Sequence, residues 1–310
     1  MIRLVRQFGI LLLCAVILWL TVDWRAAAGM LANAQSAWLA GAVLLLTLQT
    51  VLSAMRWRIA ANQLGMSLSL SHAVREYYLA QVVNQSLPGG VLGDANRALR
   101  TKGYAGLLPS AQAVIFERLA GQLGLIVLFL AGLCIGLLAG EPLARPIWIG
   151  FAGAAFLGAA ILGTIACFLI LRRFERLAMR IRDQWAAFVR SVFAREVWQR
   201  QVALSLATAL CNVAAFAFCA RAIGTPLSAV PSITLVPLIL FAMVLPLSVG
   251  GWGLREGAAA ALFPLWGASG AAGLAASVAF GLVILISVTP VFLVGWVVRK
   301  GPARRDGDLR

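Results

Sequence analysis

Residues 106–131, GLLPSAQAVIFERLAGQLGLIVLFLA, decide the fold, because they are long and apolar enough to cross a membrane yet carry Glu117 and Arg118. A charge near the centre of a membrane helix costs about 2.5–3.5 kcal/mol on insertion scales. Such residues face a bundle interior or a wet cavity, and they usually pair. The two charges therefore predict a polar site within the membrane, with purely structural pairing as the alternative.

The composition indicates a membrane protein. Of the 310 residues, 62% are hydrophobic, against about 45–50% in soluble domains. A helix needs roughly 20 apolar residues to cross a hydrocarbon core of about 30 Å. Six apolar stretches predict spans of an all-α polytopic membrane protein, at residues 7–22, 37–55, 107–139, 147–171, 202–220 and 272–298. The first is preferred to a cleaved signal peptide, because further spans follow at once.

Two further segments, residues 73–96 and 232–266, are irregular: each contains an apolar piece and is broken by proline and glycine. An acidic residue follows each break, Asp94 in the first segment and Glu256 in the second. Irregular backbone at membrane depth must be buried in protein or line a wet cavity. The pattern predicts hinges or gates at Pro88, Gly89, Gly93, Pro246, Gly250 and Gly253.

Positive charge sets the predicted orientation. With both termini in the cytoplasm, 21 of the 26 lysines and arginines lie on the inner side and three on outer loops, as the positive-inside rule requires. The other two, Arg118 and Arg255, belong to the predicted membrane sites. The net charge of +15 predicts anionic lipid headgroups as partners. It does not predict nucleic-acid binding, because no basic soluble domain carries it.

Each broken segment begins and ends on one side of the membrane in this layout, the first on the inner side and the second on the outer side. Each is predicted to be a re-entrant hairpin or a pair of spans, which gives about eight membrane segments. Two such segments entered from opposite faces are typical of an inverted-repeat transporter with its site near the midplane. The helices after Gly90 and Gly251 would point their amides at that site, where they favour an anion such as a lipid phosphate.

The charged residues of these segments are the predicted substrate-binding site. Adjacent helix residues do not face each other, so Glu117 and Arg118 are each expected to reach a partner on another segment. The predicted partners are Asp94 or Glu256 for Arg118, and Arg97 or Arg255 for Glu117. The full predicted set is Glu117, Arg118, Asp94, Arg97, Arg255, Glu256, Gly90, Gly251 and Asn84. The alternative is that Asp94 and Glu256 only cap helix starts, where acids are stabilising.

Other polar and aromatic residues receive structural roles. Arg56 and Trp57, after the span 37–55, are predicted to form a positive-inside stop with an aromatic anchor. Tyr77, Tyr78 and Trp252 are likewise predicted to be interfacial aromatics. Residues 172–200 hold eight arginines among apolar residues at three- and four-residue spacing. They predict an amphipathic helix on the inner interface, with a plain inner loop as the alternative.

The sequence predicts no cofactor and no metal. It contains no GxxxxGK[ST] motif, so ATP hydrolysis is not expected. Its five cysteines have no CxxC spacing, and His72 is the only histidine. Any movement of a substrate would be downhill or coupled to ions or protons.

Four stretches together resemble the integral-membrane flippase domain of lysyl-phosphatidylglycerol synthases and the stand-alone proteins built from that domain. They are residues 52–58 (LSAMRWR), 87–97 (LPGGVLGDANR), 116–119 (FERL) and 250–263 (GGWGLREGAAAALF). The resemblance implies about eight membrane segments with two re-entrant elements, and movement of a charged lipid between leaflets. The aminoacyl-transferase domain of the bifunctional members is not found in this sequence, so lysyl-lipid synthesis is not expected.

The predicted function is thus a lipid flippase of the bacterial inner membrane, with an integral-membrane domain over residues 1–300 and a cytoplasmic tail over 301–310. Its substrate would be a charged phospholipid or a lipid-linked precursor. One alternative is a membrane-embedded transferase acting on a lipid-linked sugar or isoprenoid. Another is a non-catalytic assembly subunit, whose partners would be envelope-biosynthesis enzymes.

Overall fold

The computed structural model describes residues 20–86, 91–139, 175–244 and 250–289. Within these ranges the chain forms α-helices and short 3₁₀ turns, with no strand. The helices are α1 (Trp24–Ala32), α2 (Ser36–Gln63), α3 (Leu70–Ser86), α4 (Leu92–Ala105), α5 (Leu107–Leu138), α6 (Glu175–Phe193), α7 (Trp198–Ala222), α8 (Ala229–Phe241), α9 (Leu254–Leu262) and α10 (Gly270–Ser287). The 3₁₀ turns are Ala242–Val244 and Phe263–Trp266.

Several predicted features lie outside the described residues. They are the span 147–171, most of the span 7–22, the end of the span 272–298, the tail 301–310, and the break residues Pro88, Gly89, Gly90 and Pro246.

Four helices, α2, α5, α7 and α10, are long and apolar enough to cross a membrane. They correspond to the predicted spans 37–55, 107–139, 202–220 and 272–298, so the all-α class is confirmed. The count of eight segments and the re-entrant course of the broken ones stay predictions. Helix α2 is longer than the span predicted for it, since it continues past residue 55 to Gln63.

Helices α2 and α7 form the centre of the bundle and run antiparallel. Gly41 lies against Phe218 near one end of the pair, and the Arg56 guanidinium donates to Thr208 Oγ1 at 2.8 Å near the other. Phe216 of α7 also contacts the rings of Phe263 and Phe280, at centroid distances of 6.3 and 5.3 Å. This packing places α10 beside α2 and α7, so three of the apolar helices share one core.

Helices α3 and α4 flank the first break and pack antiparallel. Glu76 pairs with Arg100 at 2.6 Å towards one end, and the Gly93 backbone lies against the Ala80 carbonyl towards the other. At 1.5 Å per residue, the 17 residues of α3 and the 14 of α4 reach only about 26 and 21 Å. Each is shorter than the hydrocarbon core of about 30 Å.

Gly93 and Gly103 of α4 give a matched test of this close approach. A Cβ added at Gly93 would lie 2.0 Å from the Ala80 carbonyl oxygen, whereas one at Gly103 would meet nothing within 4 Å. We expect Gly93→Ala to lower the free energy of unfolding by about 1–3 kcal/mol through overpacking. Gly103→Ala should leave it unchanged or raise it by up to about 1 kcal/mol, because alanine favours helix.

Thermal unfolding of both variants in the same detergent measures the difference. Equal unfolding temperatures for the two variants would contradict the close packing of α3 on α4.

Helix α6 lies within the segment predicted to be amphipathic. The predicted segment 172–200 is divided, however, because α6 ends at Phe193 and α7 begins at Trp198. The apolar residues of α6 do not all face the bundle. Phe188 packs on Phe116 of α5 at a centroid distance of 5.3 Å, whereas Trp185 is exposed. Its placement at the inner membrane interface stays a prediction.

Candidate functional site

Five charged side chains from three helices form one continuous set, here called the Glu117 network. Helix α2 supplies Arg56, α4 supplies Asp94 and Arg97, and α5 supplies Glu117 and Arg118. Gly106 brings the last two helices together, since its φ of +95° lets the chain turn between α4 and α5 within one residue. This turn brings the two charges of α4 next to the two charges of α5.

Glu117 is the centre of the network. Its side chain is 1% exposed, and its Oε1 accepts from Arg56 Nη2 at 2.5 Å and from the Tyr77 hydroxyl at 3.2 Å. Its Oε2 accepts from Arg97 Nη2 at 3.4 Å. A buried carboxylate needs such partners to remain charged in an apolar surrounding, so these contacts account for a glutamate in this helix.

Arg97 is held by stacking as well as by charge. Its guanidinium lies 4.5 Å from the ring centroids of both Trp57 and Tyr77. Stacking on two aromatic faces leaves only the edge of the guanidinium for hydrogen bonds. Nη2 uses that edge to reach Asp94 Oδ1 at 3.1 Å, while Nε and Nη1 are buried without a partner.

Asp94 connects the buried charges to the surface of the bundle. Its Oδ1 faces Arg97, and its Oδ2 is paired with Arg118, whose side chain is 47% exposed. Asn84 Nδ2 donates to the same Oδ2 at 3.2 Å, and Asn84 Oδ1 accepts from the Gly93 amide at 2.7 Å. The charges thus alternate in sign from buried Arg56 to accessible Arg118.

The structure confirms two of the predicted pairings. Arg118 pairs with Asp94, and Glu117 pairs with Arg97. Glu117 and Arg118 do not pair with each other, as their adjacency on the helix predicted. The alternatives offered for them, Glu256 and Arg255, lie in a second group.

The roles predicted for Arg56, Trp57, Tyr77 and Tyr78 are wrong. Tyr78 is 3% exposed and therefore buried. Arg56 is 4% exposed and Trp57 is fully buried, so neither is an interfacial stop or anchor. Tyr77 donates to Glu117 and stacks on Arg97 instead of facing the interface. The sequence carried one signal, a glycine four residues after Glu117. In the structure this glycine, Gly121, makes room for Arg56, because a Cβ there would be 2.7 Å from Arg56 Nη2.

Arg255 and Glu256 of α9 form a separate buried pair. Arg255 Nη2 lies 2.5 Å from Glu256 Oε1. Ser277 of α10 bonds to both, accepting from Arg255 Nε at 2.9 Å and donating to Glu256 Oε1 at 3.0 Å. Arg255 is 0% exposed, so its charge is satisfied by neighbours and not by solvent.

Two further contacts define this pair. Glu256 Oε2 accepts from the Gly253 amide at 2.7 Å, so this acid caps the start of α9 in addition to pairing with Arg255. Trp252 lies under the Arg255 guanidinium at 5.1 Å, and its placement at the membrane interface stays a prediction. Gly281 makes room for both, because a Cβ there would be 2.4 Å from Arg255 Nη2.

The two broken segments touch at described residues, although no ion pair joins the two charged groups in the described ranges. Gln85, at the end of α3, lies against Gly250, where a Cβ would be 2.5 Å from Gln85 Oε1. Gly250 has a φ of +55°, which favours glycine. Gly251, with a φ of +84°, lies against Met243. The contact connects the end of one broken segment with the turn of the other.

Metal-ligating residues are not clustered in the part of the chain that the structure describes. No three His, Cys, Asp or Glu side chains lie close enough there to hold an ion. The two acids of the Glu117 network are each engaged by arginine. The network's chemistry is therefore ion pairing and hydrogen bonding.

Comparison with known protein families identifies the family of the chain. The chain matches the family described as Lysylphosphatidylglycerol synthase TM region over residues 6–291. Comparison with curated proteins and with solved structures gives no match. The family and the four apolar helices together indicate a multi-pass membrane protein. The chain belongs to the lysylphosphatidylglycerol synthase TM region family.

Proposed function

We propose that the protein is a lipid translocase, which moves a charged phospholipid or a lipid-linked precursor between the leaflets of the bacterial inner membrane. The observation that carries the proposal is the Glu117 network. It extends from side chains buried among apolar helices to Arg118 at the surface of the bundle. Such a series of ionisable groups offers a charged headgroup ion-pairing partners at successive depths.

A contribution to the stability of the fold does not by itself explain why such a network is present. Buried ion pairs are often no more stabilising than apolar side chains of similar volume, because desolvation of the charges offsets their attraction. Ionisable residues within membrane helices more commonly mark a path for a substrate or ion. The network and the Arg255–Glu256 pair together hold seven ionisable residues, and three of them, Arg56, Glu117 and Arg118, lie on the apolar helices α2 and α5.

Helix packing supports an inverted repeat, α2–α5 with α7–α10. Each half has a long helix, a helix that ends at a break, a short helix after the break and a second long helix. In each half the helix after the break packs on the second long helix, and the second long helix packs on the first. Because α2 and α7 run antiparallel, the first helices of the two halves point in opposite directions, as they do in the inverted-topology repeats of many transporters.

The proposed mechanism follows from the exposure of the charges. A lipid phosphate first meets Arg118, where it competes with Asp94 for the guanidinium. Rocking of the two broken segments, which touch at Gln85 and Gly250, then exposes the site to the other leaflet. The same rocking would expose Arg255 of the second half, which is fully buried in this structure, so that it takes the corresponding part for the opposite leaflet, while the acids balance charge or carry a coupled proton.

Lipid scrambling by the purified protein in liposomes tests the proposal. Fluorescent phosphatidylglycerol and an aminoacylated analogue should both be tested for movement. We expect the Asp94→Asn variant to lose at least tenfold in the rate, since Asp94 joins Arg118 to the buried charges. Lys102→Gln also removes one charge, but at an exposed position of the same helix, and it should keep the rate.

The proposal fails if folded wild-type protein moves no tested lipid faster than empty liposomes do. It also fails if Asp94→Asn moves lipid at the wild-type rate.

A further inference from the structure

The Glu117 network carries an excess of one positive charge. It contains three guanidiniums and two carboxylates. The neighbouring pair of Glu76 and Arg100 is neutral, and so is the pair of Arg255 and Glu256. An uncompensated charge beside apolar helices is unfavourable, because little solvent is there to screen it.

The hydrogen bonds of the network show the same imbalance. Arg97 Nε, Arg97 Nη1 and Arg56 Nε are buried without an acceptor. By contrast, no carboxylate oxygen of Asp94 or Glu117 is among the buried atoms that lack a partner. Buried donors are nearly always satisfied in proteins, and exceptions mark functional positions or a missing partner. What the network lacks is acceptors and negative charge.

The accessible end of the network is the place where an acceptor can enter. Arg118 is the half-exposed member, while Arg56, Arg97 and Glu117 have side chains at most 5% exposed. The Asp94 carboxylate bridges Arg97 and Arg118 through its two oxygens. A group that binds beside Asp94 therefore meets the Arg118 guanidinium directly, and it leaves more of the shared Asp94 carboxylate to Arg97.

We propose that the site selects a lipid headgroup of net charge −1, a phosphodiester without a compensating ammonium group. This inference rests on the proposed function and adds the charge class of its substrate. One phosphate brings the network to neutrality and supplies acceptors that suit the planar guanidinium fork. A zwitterionic headgroup brings an ammonium group that meets carboxylates already occupied by arginines, and it leaves the excess charge in place.

Scrambling rates for three headgroups test the selection. Phosphatidylglycerol, phosphatidylethanolamine and lysyl-phosphatidylglycerol, each with the same fluorescent acyl chain, present net charges of −1, 0 and +1. We expect phosphatidylglycerol to move at least tenfold faster than the other two. Arg118→Gln should abolish this preference, Arg118→Lys should keep part of it, and the exposed control Lys102→Gln should leave it unchanged.

The outcomes separate the inference from the proposed function. Movement of phosphatidylethanolamine or lysyl-phosphatidylglycerol as fast as phosphatidylglycerol overturns the charge selection and leaves translocation standing. Movement of no lipid at all counts against translocation. In that case binding still decides the inference, through the unfolding temperature of the detergent-solubilised protein.

For the binding measurement, short-chain phosphatidylglycerol should raise the unfolding temperature of the wild type, and short-chain phosphatidylcholine should not. The rise should disappear in Arg118→Gln. Equal stabilisation by glycerol 1-phosphate would show that the site takes a soluble phosphate, and it would overturn the assignment to a lipid. Equal stabilisation by phosphatidylcholine would overturn the selection by charge.

Discussion

Replacing Glu117 with glutamine is expected to lower the free energy of unfolding by about 3–5 kcal/mol, the usual cost of removing one partner of a buried ion pair. The change keeps the shape of the side chain and removes one charge. It leaves Arg56 and Arg97 facing each other across a neutral amide, with no solvent to screen them. The amide also presents two donors where the carboxylate had accepted, so one of the arginine bonds is lost.

Unfolding in a mild detergent, followed by circular dichroism during heating or denaturant titration, measures this loss. Glu196→Gln is the matched control, because it makes the same change at an exposed residue and should stay within about 0.5 kcal/mol of the wild type. A Glu117→Gln variant as stable as Glu196→Gln would show that the network is not a charged, dry ion-pair system.

Replacing Arg255 with methionine is expected to have an effect of the same size, about 3–5 kcal/mol, because it leaves the Glu256 carboxylate buried without its cation. Methionine fills much of the same volume, so little of the loss comes from a cavity. Glu256 would keep only the Gly253 amide and the Ser277 hydroxyl as partners. The space beside Gly281, which admits the guanidinium, gives methionine room to pack.

A double variant separates the ion pair from the packing. Arg255→Met combined with Glu256→Gln should recover part of the stability, because no unpaired charge remains. Arg200→Met, at an exposed position of α7, controls for the apolar replacement itself. If the double variant is no more stable than Arg255→Met alone, the pair is not coupled and the buried charge is not the cause of the loss.

The sequence was sufficient for the helical class and for part of the site, for a simple physical reason. Charges inside apolar helices must find partners, and few residues of opposite sign lie in the membrane segments. On that basis two candidate partners were predicted for each residue, and one of the two is present in each case, Asp94 for Arg118 and Arg97 for Glu117. Their helices are also consecutive, so a short turn brings the residues together.

Arg56 shows why the rest of the site could not be predicted. Hydropathy ends the second span at residue 55, and an arginine next to that end fits a positive-inside stop. In the structure α2 continues to Gln63, and Arg56 pairs with a residue 61 positions further along the chain. Helical periodicity describes one helix, whereas the choice of a partner depends on how separate helices pack.

The stacking of Arg97 between Trp57 and Tyr77 is a second tertiary feature. The two rings come from α2 and α3, and each sequence position taken alone fits an interfacial aromatic. The sequence carries no periodic signal for a cation between two rings. Such contacts depend on the crossing of helices.

The single glycine between α4 and α5 has a consequence for biosynthesis. Asp94 precedes Arg118 along the chain, and Gly106 folds the helices that carry them side by side. Because the joint is short, closing it costs little entropy, and the pair needs no later part of the chain. Arg118 is then neutralised by a residue synthesised before it. During synthesis α5 can therefore insert into the bilayer as half of a hairpin with α4, in which Arg118 is already paired with Asp94. This pairing lowers the free-energy cost of inserting the arginine.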